Sequence, residues 1–182
     1  MYFFIYIGLL LIIIYIGSLI SYIFGNFINN DINKSHHLNS VSIIIAVKNG
    51  EYSLPNILCD LNQQDYNGES EYIIVDDQSI DKTAEIIKNY SQKNEKIIYV
   101  SSKEGNEKLS FKKRALDAGI RKSKYDILIF TDVDCRLKRE WVKSMASCFY
   151  NKVDYVIGVS EISKPLNIIS RFQKIDLLMM MT

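Results

Sequence analysis

Tyr125-Asp-Ile-Leu-Ile-Phe-Thr-Asp-Val-Asp-Cys135 is the stretch on which the fold turns. An apolar run ends in two carboxylates one residue apart, Asp132 and Asp134, at the place where a strand should end. Like charges that close repel unless a cation or a proton sits between them, which suggests a site for a hard metal ion. The competing reading, that both acids cap a following helix, fits their strand-end position less well.

Working outward, the same strand-and-acid unit recurs. Val41-Ser-Ile-Ile-Ile-Ala-Val47 is a short β-branched run of the kind that fills a strand buried on both faces. Lys48-Asn-Gly-Glu-Tyr-Ser53 is its turn; Ser53 can cap a helix in which Pro55 is tolerated early and Ile57, Leu58 and Leu61 form the apolar face. Tyr72 to Val75 predicts a second strand, ending in Asp76-Asp77, with a helix through Ala84, Ile86, Ile87 and Tyr90 capped by Ser79 or Asp81. Ile97 to Val100 predicts a third strand, Phe111 to Lys122 a helix with Ala115, Leu116 and Ala118 inward, and Tyr125 to Phe130 a fourth strand. Arg139 to Tyr150 predicts another helix and Tyr155 to Val159 another strand. Strand alternating with helix means an α/β fold with a mainly parallel, Rossmann-like sheet and flanking helices.

Tyr2 to Phe24 is a continuous apolar run without charge, long enough to cross a hydrocarbon core of about 30 Å. A cleaved signal peptide would need basic residues before a shorter run. The basic residues that follow, beginning with Lys34, favour a single-pass membrane protein with its domain in the cytoplasm. The 182-residue chain has a formal charge of +1, so nothing in it suggests nucleic acid as a partner. Cys59, Cys135 and Cys148 match neither a disulfide framework nor a zinc site and are expected to be small core residues in a reducing compartment. His36 and His37 read as linker.

A parallel sheet binds ligands beyond the carboxyl ends of its strands, where all these acidic and polar loops fall. The Lys48-Asn49-Gly50-Glu51 turn, Asp76-Asp77 and Asp132/Asp134 are therefore expected to meet at one crevice. A nucleoside diphosphate with a divalent cation would satisfy it, one acid accepting from base or ribose and the Asp132/Asp134 pair holding the metal.

Four segments in order, Val41-Ser-Ile-Ile-Ile-Ala-Val-Lys-Asn49, Ile74-Val-Asp-Asp-Gln-Ser-Ile-Asp-Lys-Thr83, Lys112-Lys-Arg-Ala-Leu-Asp-Ala-Gly119 and Phe130-Thr-Asp-Val-Asp-Cys135, resemble the nucleotide-binding half of family 2 glycosyltransferases. With the apolar N-terminus, the resemblance is to the membrane-bound bacterial type. It implies the GT-A fold and transfer of a sugar from a nucleoside diphosphate donor, usually a UDP-sugar, with Mg2+ or Mn2+, to a polysaccharide, lipid or glycan acceptor. It also implies roles: Asp77 accepting from the uracil ring, Ala46, Val47, Asn49 and Glu51 near base and ribose, and Lys112 near the diphosphate. Asp132 would face the donor sugar or ribose and share with Asp134 the holding of the metal. Lys112, Lys113 and Arg114 have a plainer reading as a solvated helix face.

The domain layout expected on this reading is a transmembrane helix (1–25), a linker (26–40), a nucleotide-sugar-binding GT-A half-domain (41–164) and an amphipathic helix (165–182). In the family, the catalytic base is a carboxylate well beyond the D-x-D, in a second half of the domain. Here Glu161 and Asp176 are the acids after the expected Tyr155 strand, and neither lies in that motif, so the base is expected to be absent and a C-terminal half to be a partner. Leu166, Ile169, Phe172, Ile175, Leu178 and Met179 give the tail one apolar face, for lipid or for that missing half. Two other functions fit parts of the pattern: a non-catalytic nucleotide-sugar-binding membrane fragment, and a phosphotransferase of the haloacid-dehalogenase type, which also uses D-x-D after an apolar strand.

Overall fold

The structure, a computed structural model, describes residues 2–28, 38–150 and 153–160, with the side chains of the first segment described for 3–21. Its first unit contains α1 (Tyr2–Ile28), an unbroken helix. Within it Phe3–Ser21, 19 residues without an acidic or basic side chain, is long and apolar enough to cross a membrane. The expected tail helix, the two histidines, Glu161 and Asp176 lie outside the described residues.

The α/β unit holds β1 (Val41–Val47), α2 (Leu54–Asn62), β2 (Ser70–Asp76), α3 (Thr83–Lys93), β3 (Ile97–Ser101), α4 (Lys112–Lys122), β4 (Ile127–Phe130) and α5 (Trp141–Ala146). The four strands form a parallel sheet in the order β3-β2-β1-β4, with Ile44 opposite Ile73 on one side and Phe130 on the other. Alternation along β1 explains the layers. Val41, Ile43, Ile45 and Val47 face α2, α3 and α5 through Leu54, Ile57, Leu58, Leu61, Ile87 and Val142, while Ile44 faces α4 through Ala115 and Ala118. Each fully buried Ile or Leu contributes about 1.5–3 kcal/mol, so this double layer fixes the sheet between its helices.

Small residues let α4 sit close. A Cβ on Gly119 would lie 2.5 Å from Ile44 Cγ2, so the helix backbone rests directly on β1. The lower edge of the sheet is tied by a buried acid: Glu71 Oε1 accepts from Ser42 Oγ (2.5 Å) and from Lys124 N–H (2.6 Å), fixing the turn into β4.

The chain runs β1 to β2 to β3 in one direction and then returns, so that β4 pairs with the opposite edge of β1. That reversal opens a crevice beyond the carboxyl ends of β1 and β4.

Several local expectations are corrected. Ser53 occupies the N-cap of α2 but its side chain makes no capping bond, because its backbone is already helical (φ −87, ψ −35). For α3 the N-cap is Lys82, and the Asp81 carboxylate accepts from Thr83 N–H at 3.0 Å. The helix expected over Arg139 to Tyr150 is limited to Trp141–Ala146. Tyr155 to Val159 form no strand; their backbone pairs with no strand among the described residues, and most of their apolar side chains are exposed. The three cysteines are free thiols, but none is buried: Cys59 is on the outer face of α2.

Candidate active site

The turn after β1 and the turn after β2 are laced together by hydrogen bonds. Asn49 N–H donates to Ser79 Oγ (2.9 Å), and Ile80 N–H donates back to Asn49 Oδ1 (2.9 Å). Gly50 N–H donates to Thr83 Oγ1 (2.8 Å), Glu51 N–H to Asp81 Oδ2 (3.1 Å), and Lys82 N–H to Glu51 Oε2 (3.2 Å). Asn49 takes a left-handed backbone (φ 52), which Asn tolerates better than most residues. Asp76 closes its own turn by accepting from Ser79 N–H (3.1 Å), and Asp77 N–H donates to Val47 O (2.7 Å).

These bonds shape a cleft of about 390 Å³ lined by Ala46, Val47, Lys48, Asp77, Phe111, Lys112, Asp132, Val133 and Asp134. Of the residues singled out in the sequence, Ala46, Val47, Asp77, Lys112, Asp132 and Asp134 are brought together there. Asn49 and Glu51 are not in its lining; their side chains are engaged in holding the two turns. Asp77 is nearly buried, yet no described donor meets its carboxylate, so its acceptors are left for whatever fills the cleft. Lys112 Nζ donates to Asp132 Oδ1 at 2.5 Å, which draws the start of α4 onto the loop after β4. Asp134 is exposed at the same loop.

Asp132 and Asp134 supply hard oxygen donors, but no group of three or more His, Cys, Asp or Glu gathers around a point among the described residues. A pair of carboxylates fits Mg2+ or Mn2+ as these ions are commonly held beside phosphates, with substrate oxygens and water completing the shell.

Lys48 lines the cleft from the turn after β1, as expected of that turn, but three features were not singled out in the sequence. Val133 flanks the cleft from the turn after β4. Phe111, the residue before α4, is exposed and lines the cleft, and it adopts φ 53 and ψ −141, a backbone state that strains a non-glycine residue by about 1–3 kcal/mol. Asp60, buried on α2, accepts from Arg136 Nε (2.7 Å), Arg136 Nη2 (2.8 Å) and Leu137 N–H (2.9 Å), anchoring the segment just past Asp134. The Arg136 guanidinium, helped by Leu137 N–H, holds the Asp60 carboxyl below its ordinary value against the opposing effect of burial. An acid on an otherwise apolar helix face was the available signal, since Asp60 lies between Cys59 and Leu61 on a helix whose Ile57, Leu58 and Leu61 are buried.

Residues 42–168 match the model of Glycosyl transferase family 2. The chain belongs to that family. A curated member, the 4,4'-diaponeurosporenoate glycosyltransferase of Staphylococcus haemolyticus (strain JCSC1435), is 38% identical over 101 residues, which is 56% of this chain and 26% of that protein. Among solved structures, the mannosyltransferase PcManGT of Pyrobaculum calidifontis, in complex with GDP-Man and Mn2+, superposes with a TM-score of 0.56 at 18% identity over 71% of this chain and 38% of that one. S. aureus TarS 1-349, in complex with UDP-GlcNAc, matches at 27% identity with a TM-score of 0.48, over 59% of this chain and 30% of its own. The chain thus spans about a quarter of the length of the curated relative. The parallel sheet with its flanking helices is the GT-A fold, and family 2 membership sets aside the phosphotransferase reading of Asp132 and Asp134.

Proposed function

We propose that this family 2 chain forms the donor-binding half of a membrane-anchored glycosyltransferase, one that moves a sugar from a UDP-sugar to a glycan or lipid acceptor. The observation that carries this is the convergence of Asp77, Lys112, Asp132 and Asp134 on one cleft at the reversal point of a parallel sheet. In this reading Asp77 accepts from the base edge, and the backbone around Ala46 and Val47 forms the floor beneath the nucleoside. Lys112 approaches the diphosphate, Asp132 faces ribose or sugar, and Asp132 and Asp134 hold the metal. Bound there, Mg2+ or Mn2+ would neutralise diphosphate oxygens and stabilise the departing nucleoside diphosphate.

Asn49 and Glu51 act on the donor indirectly, by keeping the turns after β1 and β2 in register. Anchoring by α1, with the α/β unit on the cytoplasmic side, is supported by the length and composition of Phe3–Ser21 and by the basic residues that follow it in sequence.

Calorimetric titration of the detergent-solubilised chain with UDP and Mn2+ tests the proposal. Saturable heat that disappears in Asp134→Ala is expected. Absence of heat with UDP, GDP and their sugar conjugates would overturn the reading.

A further inference from the structure

Phe111 is held against two physical preferences at once. Its backbone (φ 53, ψ −141) lies where glycine moves freely and a residue with a Cβ does not, and the residue is 79% exposed, so burial returns little. The surroundings enforce this conformation. Arg114 Nη2 donates to Lys103 O (3.0 Å), Arg114 Nε donates to Gly105 O (3.3 Å), and Asn106 N–H donates to Asp117 Oδ2 (2.7 Å), which binds the preceding loop along α4. Phe111 O in turn accepts from Arg114 N–H (2.9 Å) and opens the helix. Strain kept in place by so many bonds marks a residue whose placement matters, and Phe111 is placed in the lining of the cleft.

Among the described residues lining the cleft, Phe111 is the sole aromatic; the others offer aliphatic carbon or charge. A nucleobase has a polar edge and a flat π face. Asp77 can meet the edge, but without a ring the face would rest on water. The next residue, Lys112, turns to Asp132, so adjacent positions divide two tasks, a ring for a flat group and a cation for a charged one.

We infer that Phe111 stacks on the nucleobase of the donor, an inference that rests on the nucleotide-sugar reading above. The test is calorimetry on the detergent-solubilised full chain with UDP and Mn2+, and separately with inorganic pyrophosphate and Mn2+. Phe111→Gly is expected to raise Tm by about 3 °C as strain is released, and to weaken UDP about tenfold while leaving pyrophosphate within about twofold. Phe111→Leu, which keeps the backbone and bulk but lacks a flat face, is expected to weaken UDP similarly without the rise in Tm, and Phe111→Trp to retain wild-type affinity. UDP affinity unchanged in both Phe111→Gly and Phe111→Leu overturns the stacking role alone. So does an equal loss for pyrophosphate, which would mean a general disturbance of the cleft. A wild-type chain that binds pyrophosphate but no nucleoside diphosphate overturns the nucleotide-sugar reading as well.

Discussion

Lys112 Nζ lies 2.5 Å from Asp132 Oδ1, so the cation at the start of α4 already rests on the first carboxylate of the D-x-D pair. Both side chains are more than half exposed, and a pair of this kind adds about 0.2–1 kcal/mol to stability. Its value is therefore in placement. Lys112→Ala is expected to leave Tm within about 2 °C of wild type while weakening UDP binding at least about tenfold through loss of a charge-assisted bond to phosphate. Thermal unfolding and calorimetry on the same sample check both halves, and a large fall in Tm without loss of affinity would contradict the placement.

Asp134 is exposed and has no described hydrogen-bond partner, so the fold asks little of it. Asp134→Asn is expected to fold normally and to lose the metal dependence of nucleotide binding. Titrations in Mn2+ and in EDTA should differ strongly for wild type and hardly at all for the variant. Metal dependence that survives the substitution would move the ion elsewhere.

Asn49 holds Ile80 N–H through its side chain, in a left-handed backbone state. Asn49→Gly keeps that backbone accessible and removes the acceptor, so a loss of about 0.5–1.5 kcal/mol is expected in urea unfolding. A direct contact with nucleotide would instead show as lost affinity with stability unchanged.

Asp60 gives a pH signature. Its carboxyl is held below the ordinary 3.8 chiefly by Arg136, so its contribution to stability is complete above about pH 5. It is lost as the pH falls through 3.8 and on through the folded-state value, because the unfolded chain takes up the proton first. Asp60→Asn is expected to be less stable than wild type by about 1–2 kcal/mol near pH 7, with the gap narrowing below about pH 4. Urea midpoints measured across that range check it; a gap independent of pH would assign the effect to packing alone.

Much of this protein could be read from local pattern. The β-branched run Val41–Val47 and the helices between strands follow from alternation and periodicity, and the unbroken helix α1 follows from an uncharged apolar run of its length. That Asp77, Asp132 and Asp134 would line one cleft was legible because acids just past buried strands of a parallel sheet have one place to go. Tyr155 to Val159 shows where pattern fails: an apolar run becomes a strand only when a neighbour meets its backbone groups.

What side chains do once the loops converge depended on partners far away in the chain. Asn49 and Glu51, expected near base and ribose, bind the turn around Ser79 to Lys82, while Asp60 draws in Arg136, 76 positions on. Phe111 carried no periodic signal; its exposure and backbone arise from the loop that Arg114 and Asp117 tie down. Local sequence sets hydrophobic periodicity and charge, which act between near neighbours. Polar side chains find their partners only after packing has brought distant segments within about 3 Å, the range over which a hydrogen bond acts.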